Sequence, residues 1–484
     1  MSGEMTIERL YAEFLQSAGI CTDTRKAVAG TIFFAIRGDR FDGNAFVEEA
    51  LGKGCRLAVT DRSDLAGRDG VALVRSSLDM LQQLARHHRR VKAPDLLAVT
   101  GSNGKTTTKE LIAAILSKKF RVLSTSGNLN NHIGVPLTLL GLRDEKMAVI
   151  EMGANHAGEI RKLAEIAEPG TGLITNVGKA HLEGFGSLEG VLRAKGELYE
   201  FLAGTGGMAF VDGSDPLLMK KSEETGVKRM VVGPRGDLPV VCRIVKQDPF
   251  LEMEVETGRG EPFRVETNLV GGYNLQNILY AVALGIHFGI SPALIREAVA
   301  GYRPQNLRSQ LIGEGRNRIL LDAYNANPTS MREAIGGLLQ FAPHPRMLVL
   351  GDMAEMGDAS EQEHRELVKW IGTLPVDLTL LVGKIFSGVC GPTPGVRDPS
   401  SGVDHSSTSV DPSSGVHGPS GSGFDPSSRV DPSSEIDPST PVIVFGDTGE
   451  VERWLRSERP RGYHVLVKGS RIMGLEKLIP LLTG

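Results

Sequence analysis

Short apolar runs alternate with amphipathic segments along most of the chain, and this pattern predicts a protein built from both strands and helices. Near the N-terminus, TIFFAIRG (31–38) and RLAVTD (56–61) have the composition of buried strands. The segment between them, NAFVEEALGKG (44–54), is typical of a helix that ends at a glycine. The pattern breaks at Ala93-Pro94, because a proline disfavours helical conformation in the residue before it.

A regular alternation of strand and helix follows in the middle of the chain. The apolar run LLAVT (96–100) precedes a predicted helix from about Thr106 to Leu116. MAVIEMG (147–153) and GLITNVG (172–178) are predicted to be further strands. Short strands separated by helices in this way indicate a parallel, doubly wound sheet.

The pattern changes at residues 242–267, where apolar and polar positions alternate as in a half-buried β-sheet, and a helix is predicted within 271–289. The last third of the chain returns to short apolar strands with helices between several of them. Its predicted strands are RILLDAY (318–324), RMLVLGD (346–352), LTLLVG (378–383), PVIVFGD (441–447) and YHVLVKG (463–469). This part resembles a nucleotide-binding fold but lacks G-x-G-x-x-G, so a second dinucleotide site has no support.

Residues 391–441 differ in kind from the rest of the chain. They are rich in proline and serine and repeat Asp-Pro-Ser at positions 398, 411, 425, 431 and 437. The irregular spacing excludes a solenoid, and the segment has too few apolar residues to offset its chain entropy. We therefore expect a disordered surface insertion between two strands, which costs little because closure entropy grows slowly with loop length.

Length and composition are those of a soluble protein with several domains. A chain of 484 residues is too long for one hydrophobic core, and we expect three domains, at 1–93, 94–305 and 306–484. The net charge of −4 provides no basic field for nucleic acid, and four scattered cysteines indicate neither a disulfide framework nor a zinc site. We find no signal peptide and no apolar run of about 18 residues, so we expect a cytoplasmic location.

Residues 95–109, DLLAVTGSNGKTTTK, carry the clearest chemical signal. A strand leads into two glycines, a lysine and threonines, which is the order that phosphate binding requires. The strict G-x-x-x-x-G-K-[ST] spacing fails because Val99 takes the place of the first glycine, so a shorter loop, G-x-x-G-K-T, is predicted. Helix N–H groups would hold phosphate, Lys105 would neutralise its charge and the Thr106 hydroxyl would bind Mg²⁺. The alternative is an ordinary strand–turn–helix corner.

Two further polar residues follow predicted strands. Glu151 lies at the end of a strand, where a carboxylate would reach a Mg²⁺ ion beside the loop. His181 follows the next strand, and taken alone it would more often be a structural histidine than a ligand. Since ligands of open α/β sheets gather at the carboxyl ends of the strands, Glu151 and His181 are predicted to face Lys105 and Thr106.

Several segments, spread over nearly the whole chain apart from 391–441, carry a family resemblance. They are DTRKAVAGTIFFAIRGDRFDG (23–43), TGSNGKTTTK (100–109), GNLNNHIGVP (127–136), EMGANHAGEI (151–160), NVGKAHLEGFGS (176–187), AKGE (194–197), DAYNANP (322–328), LGDMAEMG (350–357) and VKGSR (467–471). Together they resemble the Mur ligases of bacterial cell-wall synthesis. The combination is far more specific than any one segment.

The resemblance implies an α/β enzyme with a small UDP-binding domain, a central phosphate-loop ATPase-like domain and a C-terminal Rossmann-like domain. They would bind UDP-N-acetylmuramoyl-tripeptide, ATP with Mg²⁺, and D-alanyl-D-alanine. The tripeptide carboxylate would attack the γ-phosphate of ATP, and the dipeptide amine would capture the acyl phosphate, leaving ADP and phosphate. Such a ligase would serve peptidoglycan synthesis, and hence cell shape, cell cycle and cell division, as a monomer without nucleic acid or membrane insertion.

The resemblance also implies roles for individual residues. Catalysis would involve Lys105, Glu151, His181 and Lys195, and the metal would be held by Thr106, Glu151 and His181. The nucleotide would contact Gly101, Ser102, Asn103, Gly104, Lys105, Thr106, Thr107, Asn274, Asn277, Arg308, Asp322, Tyr324 and Asn325. The other substrate would contact Thr24, Arg25, Asn130, Asn131 and His132.

At four positions the resemblance leaves the role of a residue or segment open. Lys195 lies where related ligases carry a carbamylated lysine, and it is either modified or steadies the acyl phosphate as a plain lysine. Tyr273 replaces a histidine that the family usually has, so the role of that histidine is not carried over. Thr24 and Arg25 are otherwise a simple turn. Residues 468–471 either face substrate or form a basic turn.

Three rival functions have specific arguments against them. Sister ligases that add lysine or diaminopimelate as the third peptide residue typically read D-Y-A-H-T-P where this chain has DAYNANP. Folylpolyglutamate synthases share the G-x-x-G-K-[ST] loop but lack EMGANHAGEI. A non-catalytic nucleotide-binding switch would not need Glu151, His181 and Lys195 together. The identity of the third residue of the UDP-linked tripeptide is not encoded in any pattern we find.

Overall fold

The computed structural model describes residues 5–38, 41–233, 237, 240–258, 260–313, 315–390, 396–397 and 441–484. The predicted insertion at 391–441 lies outside these residues, apart from the backbone of 396–397 and residue 441. The described chain is an α/β protein built on parallel sheets, as predicted. We describe it as an N-terminal, a central and a C-terminal unit that follow the predicted domains, whose boundaries stay predictions.

The N-terminal unit is a parallel sheet in the order β1-β2-β5-β6, with a small β3-β4 hairpin beside it. Its elements are α1 (Ile7–Leu15), β1 (Ile20–Cys21), β2 (Ile32–Phe34), β3 (Arg37–Gly38), β4 (Phe41–Asp42), α2 (Val47–Gly52), β5 (Leu57–Thr60), β6 (Val71–Leu73) and α3 (Ser77–Lys92). Ala93 ends α3 in the left-handed conformation, with φ 46°, so the predicted break before Pro94 is confirmed.

The central unit has a six-stranded parallel sheet in the order β12-β11-β10-β7-β9-β8. Its elements are β7 (Asp95–Thr100), α4 (Lys105–Leu116), β8 (Val122–Ser124), α5 (Gly134–Leu139), β9 (Met147–Glu151), α6 (Glu159–Ala167), β10 (Thr171–Ile174), α7 (Leu182–Phe185), α8 (Leu188–Thr205), β11 (Met208–Asp212), α9 (Pro216–Thr225) and β12 (Lys228–Val232). Strand β7 lies between β9 and β10, so the loop that follows β7 opens beside the end of each neighbour.

An antiparallel sheet and two helices complete the central unit. They are β13 (Val241–Gln247), β14 (Phe250–Glu256), β15 (Phe263–Val270), α10 (Asn274–His287) and α11 (Pro292–Gly301). In β14 the side chains of Leu251, Met253 and Val255 are buried and those between them are not, which confirms the predicted alternation. Beyond its polar first turn, α10 is apolar and packs against α4. This contact brings the N-terminus of α10 to the loop after β7.

The C-terminal unit is a seven-stranded sheet in the order β16-β17-β22-β18-β19-β21-β20, parallel except for β16. Its elements are β16 (Gln310–Ile312), β17 (Arg318–Asp322), α12 (Pro328–Phe341), β18 (Arg346–Gly351), α13 (Ser360–Ile371), β19 (Leu378–Val382), α14 (Lys384–Cys390), β20 (Val396–Arg397), β21 (Val442–Phe445), α15 (Thr448–Glu458), β22 (His464–Lys468) and α16 (Ile479–Thr483). All five predicted strands are present. The last strand, β22, inserts between β17 and β18, and this register sets Lys468 beside Asp322.

Candidate active site

One cavity of about 720 Å³ lies where strand ends of the central and C-terminal units meet, and Leu78 of α3 also lines it. Most predicted site residues line this cavity. They are Ser102, Asn103, Gly104, Lys105, Thr106, Thr107, Asn130, Asn131, His132, Glu151, His181, Asn274, Asn277, Arg308, Asp322, Tyr324 and Asn325. Four others, Thr24, Arg25, Gly101 and Lys195, are not among the lining residues.

The two glycines of the loop after β7 are required by both backbone angle and crowding. Gly101 has φ +144°, and a Cβ there would lie 2.0 Å from the Thr175 hydroxyl oxygen. Gly104 has φ +75°, and a Cβ there would lie 2.3 Å from Asn277 Oδ1. The short G-x-x-G spacing therefore fits a loop that passes closely between the end of β10 and the start of α10.

We expect Gly104→Ala to destabilise the protein by about 1–3 kcal/mol and to weaken nucleotide binding, because the positive φ is strained and Asn277 must move. Thermal unfolding and titration with an ATP analogue measure the two effects. Gly206→Ala is the matched control, because Gly206 has φ +76° and nothing within 4 Å of an added Cβ. Equal losses of stability and unchanged affinity in both variants would contradict the close approach of Asn277.

The loop and the start of α4 form an anion-binding surface. Helix α4 begins after Gly104 without a side-chain cap, so its first N–H groups remain available to a ligand. Lys105 Nζ donates to the carbonyl oxygens of Gly101 (2.7 Å) and Ser102 (3.0 Å). Burial lowers the pKa of Lys105 to about 8, although the nearby carboxylate of Glu151 opposes the shift. These groups fit a phosphate group, whose oxygens would accept their hydrogen bonds in place of water.

Residues after β10 hold the loop in place. The Asn103 N–H donates to Asn176 Oδ1 at 3.0 Å, and the Gly178 N–H donates to Ser102 Oγ at 2.9 Å. Sequence reasoning did not single out Asn176, although it lies in the motif NVGKAHLEGFGS. The signal for it is positional, because it follows directly on the strand next to β7.

Glu151 is the best candidate for a metal ligand. Its Oε1 accepts a hydrogen bond from Asn130 Nδ2 at 2.8 Å, while Oε2 is buried and has no hydrogen-bond partner in the described structure. In the residues that the structure describes, no cluster of three His, Cys, Asp or Glu side chains could hold a metal. A free carboxylate oxygen near a threonine hydroxyl nevertheless fits Mg²⁺, which takes few protein ligands and completes its shell with water and phosphate.

His181 is held by the C-terminal unit. It adopts the left-handed conformation, with φ 51°, at the start of α7, and its Nδ1 lies 2.6 Å from Glu355 Oε2, although the angle of this contact is not that of a hydrogen bond. The imidazole holds the pKa of the Glu355 carboxyl below its usual value. A carboxylate on one ring nitrogen orients the other nitrogen toward a ligand. Glu355 was missed among the candidate residues, although it lies in LGDMAEMG.

Lys195 lies in α8, behind the cavity wall. It is only 1% exposed, its Nζ donates to the carbonyl oxygen of Ala154 at 3.2 Å, and the Phe185 ring centroid is 5.2 Å away. Burial lowers the pKa of Lys195 well below its usual value, and the charge of Lys105 adds to the shift. Ala154 lines the cavity, so Lys195 is one residue removed from it.

The asparagines at the start of α10 are bonded to each other and to α4. Asn277 Nδ2 donates to Asn274 Oδ1 at 2.9 Å, and Asn277 Oδ1 accepts from the Thr108 hydroxyl at 3.0 Å. On the opposite wall the Arg308 guanidinium stacks 3.8 Å from the centroid of the Tyr324 ring. Arg308 Nε is buried without a hydrogen-bond partner among the described residues, and it therefore suits an anionic ligand.

Lys468 was predicted either to face substrate or to belong to a basic turn. It is 2% exposed and lines the cavity, so it does not form a surface turn. Its Nζ donates to Asp322 Oδ2 at 2.5 Å, and Asp322 Oδ1 accepts from the Ser309 N–H at 3.2 Å. The adjacent Tyr273 hydroxyl lies 2.6 Å from Ser309 Oγ.

The residues predicted to bind the larger substrate fall into two places. Asn131 Oδ1 accepts from the Gly134 N–H, at the first residue of α5, at 2.9 Å. The His132 carbonyl oxygen accepts from Gln82 at 2.9 Å, and both Asn131 and His132 line the cavity. Thr24 begins a short 3₁₀ turn in the N-terminal unit, where the side chain of Arg25 is 87% exposed and paired with Asp23. The structure does not bring this turn into the cavity.

Comparison with known proteins gives the same family from sequence and from structure. Residues 99–285 match the Mur ligase middle domain and residues 307–399 the Mur ligase, glutamate ligase domain. UDP-N-acetylmuramoyl-tripeptide–D-alanyl-D-alanine ligase of Bacillus subtilis is 37% identical over 76% of this chain and 80% of its own. MurF of Acinetobacter baumannii has TM-score 0.81 at 29% identity over 99% of each chain. MurF of Thermotoga maritima in complex with ADP has TM-score 0.76 at 25% identity over 97% of each chain.

Proposed function

The chain belongs to the Mur ligase family, and we infer that it is an ATP-dependent ligase that joins D-alanyl-D-alanine to UDP-N-acetylmuramoyl-tripeptide in peptidoglycan synthesis. The observation that carries this conclusion is that a phosphate loop, Glu151 and strand ends of the C-terminal unit line the same cavity. The matches to the Mur ligase family and to solved MurF structures confirm the predicted family, enzyme class and fold class. None of the described helices is long and apolar enough to cross a bilayer.

The chemistry explains why the cavity concentrates cationic and N–H groups. A carboxylate does not react with an amine at neutral pH, because its oxygen is a poor leaving group. Transfer of the γ-phosphoryl group of ATP to that oxygen makes phosphate the leaving group. The dipeptide amine then forms the C–N bond as the C–O bond to phosphate breaks. Two anions must meet in the first step, and Lys105 with the N–H groups of α4 lowers their repulsion.

We propose that Mg²⁺ is held by Glu151 and the Thr106 hydroxyl, with His181 contributing its second ring nitrogen. When bound, the ion would neutralise charge that develops on the transferred phosphoryl group. Glu355 lies against one ring nitrogen of His181, and Asn130 holds Glu151 by a hydrogen bond. We further propose that Asn274, Asn277, Arg308, Asp322, Tyr324 and Asn325 act on the nucleotide.

The substrates are proposed to divide among the three units. Asn130, Asn131 and His132 lie on the side of the cavity that also includes Leu78 of the N-terminal unit, which suits the muramoyl-peptide arm. Thr24 and Arg25 do not line the cavity, so the UDP group would have to extend beyond the cavity to reach them. The acceptor dipeptide is assigned to the C-terminal unit. We keep 1–93, 94–305 and 306–484 as the proposed boundaries of the three domains.

ADP release provides the test of function. We expect release to require both UDP-N-acetylmuramoyl-tripeptide and D-alanyl-D-alanine, because the acyl phosphate forms on one and is captured by the other. Offering the lysine and diaminopimelate tripeptides in turn identifies the third residue, and oxygen-18 in the tripeptide carboxylate should pass into inorganic phosphate. ADP release that needs neither peptide would show a simple NTPase, and release that requires UDP-N-acetylmuramoyl-dipeptide together with free lysine or diaminopimelate would show a sister ligase.

We propose that Lys195 is carbamylated, since its lowered pKa supplies the neutral amine that reacts with carbon dioxide. We expect protein prepared in carbon-13 bicarbonate to show a carbamate signal by NMR, absent from Lys195→Ala. Short carboxylic acids should restore part of the activity of Lys195→Ala, because they replace the lost carboxylate. A wild-type protein without that signal, and a variant that no acid rescues, would favour a plain lysine.

Closure of the C-terminal unit on the phosphate loop is proposed to depend on Asn327. Its Oδ1 caps α12 by accepting from the Ser330 N–H at 2.9 Å, and its Nδ2 donates to Asn103 Oδ1 at 2.8 Å. Asn327→Asp keeps the cap and removes the donor, so we expect kcat to fall about 2- to 10-fold with little change in thermal stability. Asp447→Asn, at the cap of the distant α15, is the matched control. Equal kcat values for both variants would contradict the proposal.

A further inference from the structure

The proposed chemistry leaves two carboxyl groups of the cavity without a role: Glu159, which accepts hydrogen bonds from the Asn155 and His156 N–H groups, and Glu333. Glu333 lies on α12, lines the cavity and is half-buried. It makes no hydrogen bond or ion pair within the described part of the chain. Because α12 starts against the phosphate loop at Asn327, Glu333 lies six residues, or about 9 Å, further along the helix axis.

Lys468, the cation whose charge acts on Glu333, makes its hydrogen bonds to other groups. Lys468 has three N–H donors, and they have acceptors in Asp322 Oδ2 (2.5 Å), the Asn325 carbonyl oxygen (3.1 Å) and the Asp322 carbonyl oxygen (3.5 Å). Burial raises the pKa of Glu333 to about 7 in spite of the charge of Lys468. The carboxyl group of Glu333 therefore lacks a hydrogen-bond donor that a ligand in the cavity would supply.

An aromatic ring lines the same end of the cavity. The Tyr273 ring is fixed between two glycines: a Cβ at Gly271 would lie 2.3 Å from its Cε1, and a Cβ at Gly337 would lie 3.2 Å from it. Gly337 is four residues after Glu333, so both are on the face of α12 that Tyr273 contacts. The Tyr273 hydroxyl is bonded to Ser309, which leaves the ring as a fixed wall.

We propose that Glu333 and Tyr273 form the nucleobase end of the ATP site, with Glu333 accepting a hydrogen bond from the 6-amino group of adenine. This rests on the proposed function, in which the loop holds the phosphates and Asp322 is assigned to the nucleotide. Adenine presents an N–H donor at C6, whereas hypoxanthine and guanine present an oxygen, which a carboxylate repels. The flat ring of Tyr273 provides an apolar surface for the purine.

Binding of ATP and ITP, measured by calorimetry at pH 8 without the peptides, tests the proposal. We expect wild-type protein to prefer ATP by about 100-fold, and Glu333→Gln to reduce this preference at least 10-fold because its amide can donate to the oxygen of ITP. Glu333→Ala should lose affinity for ATP without gaining affinity for ITP. Glu366→Gln, on the exposed face of α13, is the matched control and should retain the wild-type preference.

An unchanged ratio of ATP to ITP affinity in Glu333→Gln, at wild-type thermal stability, would overturn the proposal. A ratio of ATP to 2′-deoxy-ATP affinity that changes instead would also overturn it, because Glu333 would then contact the ribose. Both outcomes are read from nucleotide binding alone. They are therefore separate from failure of the ligase function, which would appear as ADP release that does not depend on D-alanyl-D-alanine.

Discussion

Lys105→Ala is expected to lower peptide-dependent ADP release by about 1,000-fold or more while the protein stays folded. Lys105 is the cation of the phosphate loop, and the γ-phosphate and the tripeptide carboxylate must approach each other beside it. The Lys105 ammonium donates hydrogen bonds to the carbonyl oxygens of Gly101 and Ser102. Because water can donate to these oxygens in the variant, the free energy of unfolding should fall by only about 1 kcal/mol. Steady-state kinetics and thermal unfolding measure both quantities.

A second lysine, beyond the other end of α4, serves as the control. Lys118 follows α4 and pairs with Glu297 at 2.7 Å on the surface, so Lys118→Ala should retain wild-type turnover. Lys105→Arg should stay far below wild type, because a planar guanidinium does not fit where the ammonium meets two carbonyl groups. Turnover of Lys105→Ala within tenfold of wild type would mean that this loop does not bind the transferred phosphate.

Glu151→Gln is expected to reduce turnover by about 100- to 1,000-fold and to raise the Mg²⁺ concentration that half-maximal activity requires. The amide keeps the shape of the side chain and the hydrogen bond from Asn130, but it removes the negative charge from the buried oxygen that has no partner. A Mg²⁺ titration of ADP release at saturating substrates measures the change.

The control for Glu151→Gln is Glu165→Gln, which alters an exposed carboxylate on α6. It should leave both turnover and the Mg²⁺ requirement unchanged. If Glu151→Gln lowered turnover but left the Mg²⁺ requirement of wild type, the carboxylate would act on the substrate and the proposed metal site would be wrong. Equal thermal stability of the two variants would exclude unfolding as the cause.

Much of the fold followed from local pattern. The strand ending at Thr100 and the helix over Lys105–Leu116 are a buried apolar run and an amphipathic segment, and both appear within one residue of their predicted bounds. The helices over Ser77–Lys92 and Leu188–Thr205 were not predicted. The first packs against neighbouring helices through Leu81, Leu84 and Ala85, which recur at helical spacing, so its signal was present in the sequence and was missed.

The chemistry of the phosphate loop, the α/β class and the family could all be predicted from the amino-acid sequence, because these depend on short segments whose residues act together. Which distant segments meet became clear only in the folded protein. Lys468 reaches Asp322 only because β22 enters the sheet beside β17, and Glu355 reaches His181 only because the two units are in contact. Glu333 lies outside the quoted sequence segments, and only the packing of α12 places it in the cavity. Such contacts depend on strand order and on the packing of units, which no local pattern of apolar and polar residues encodes.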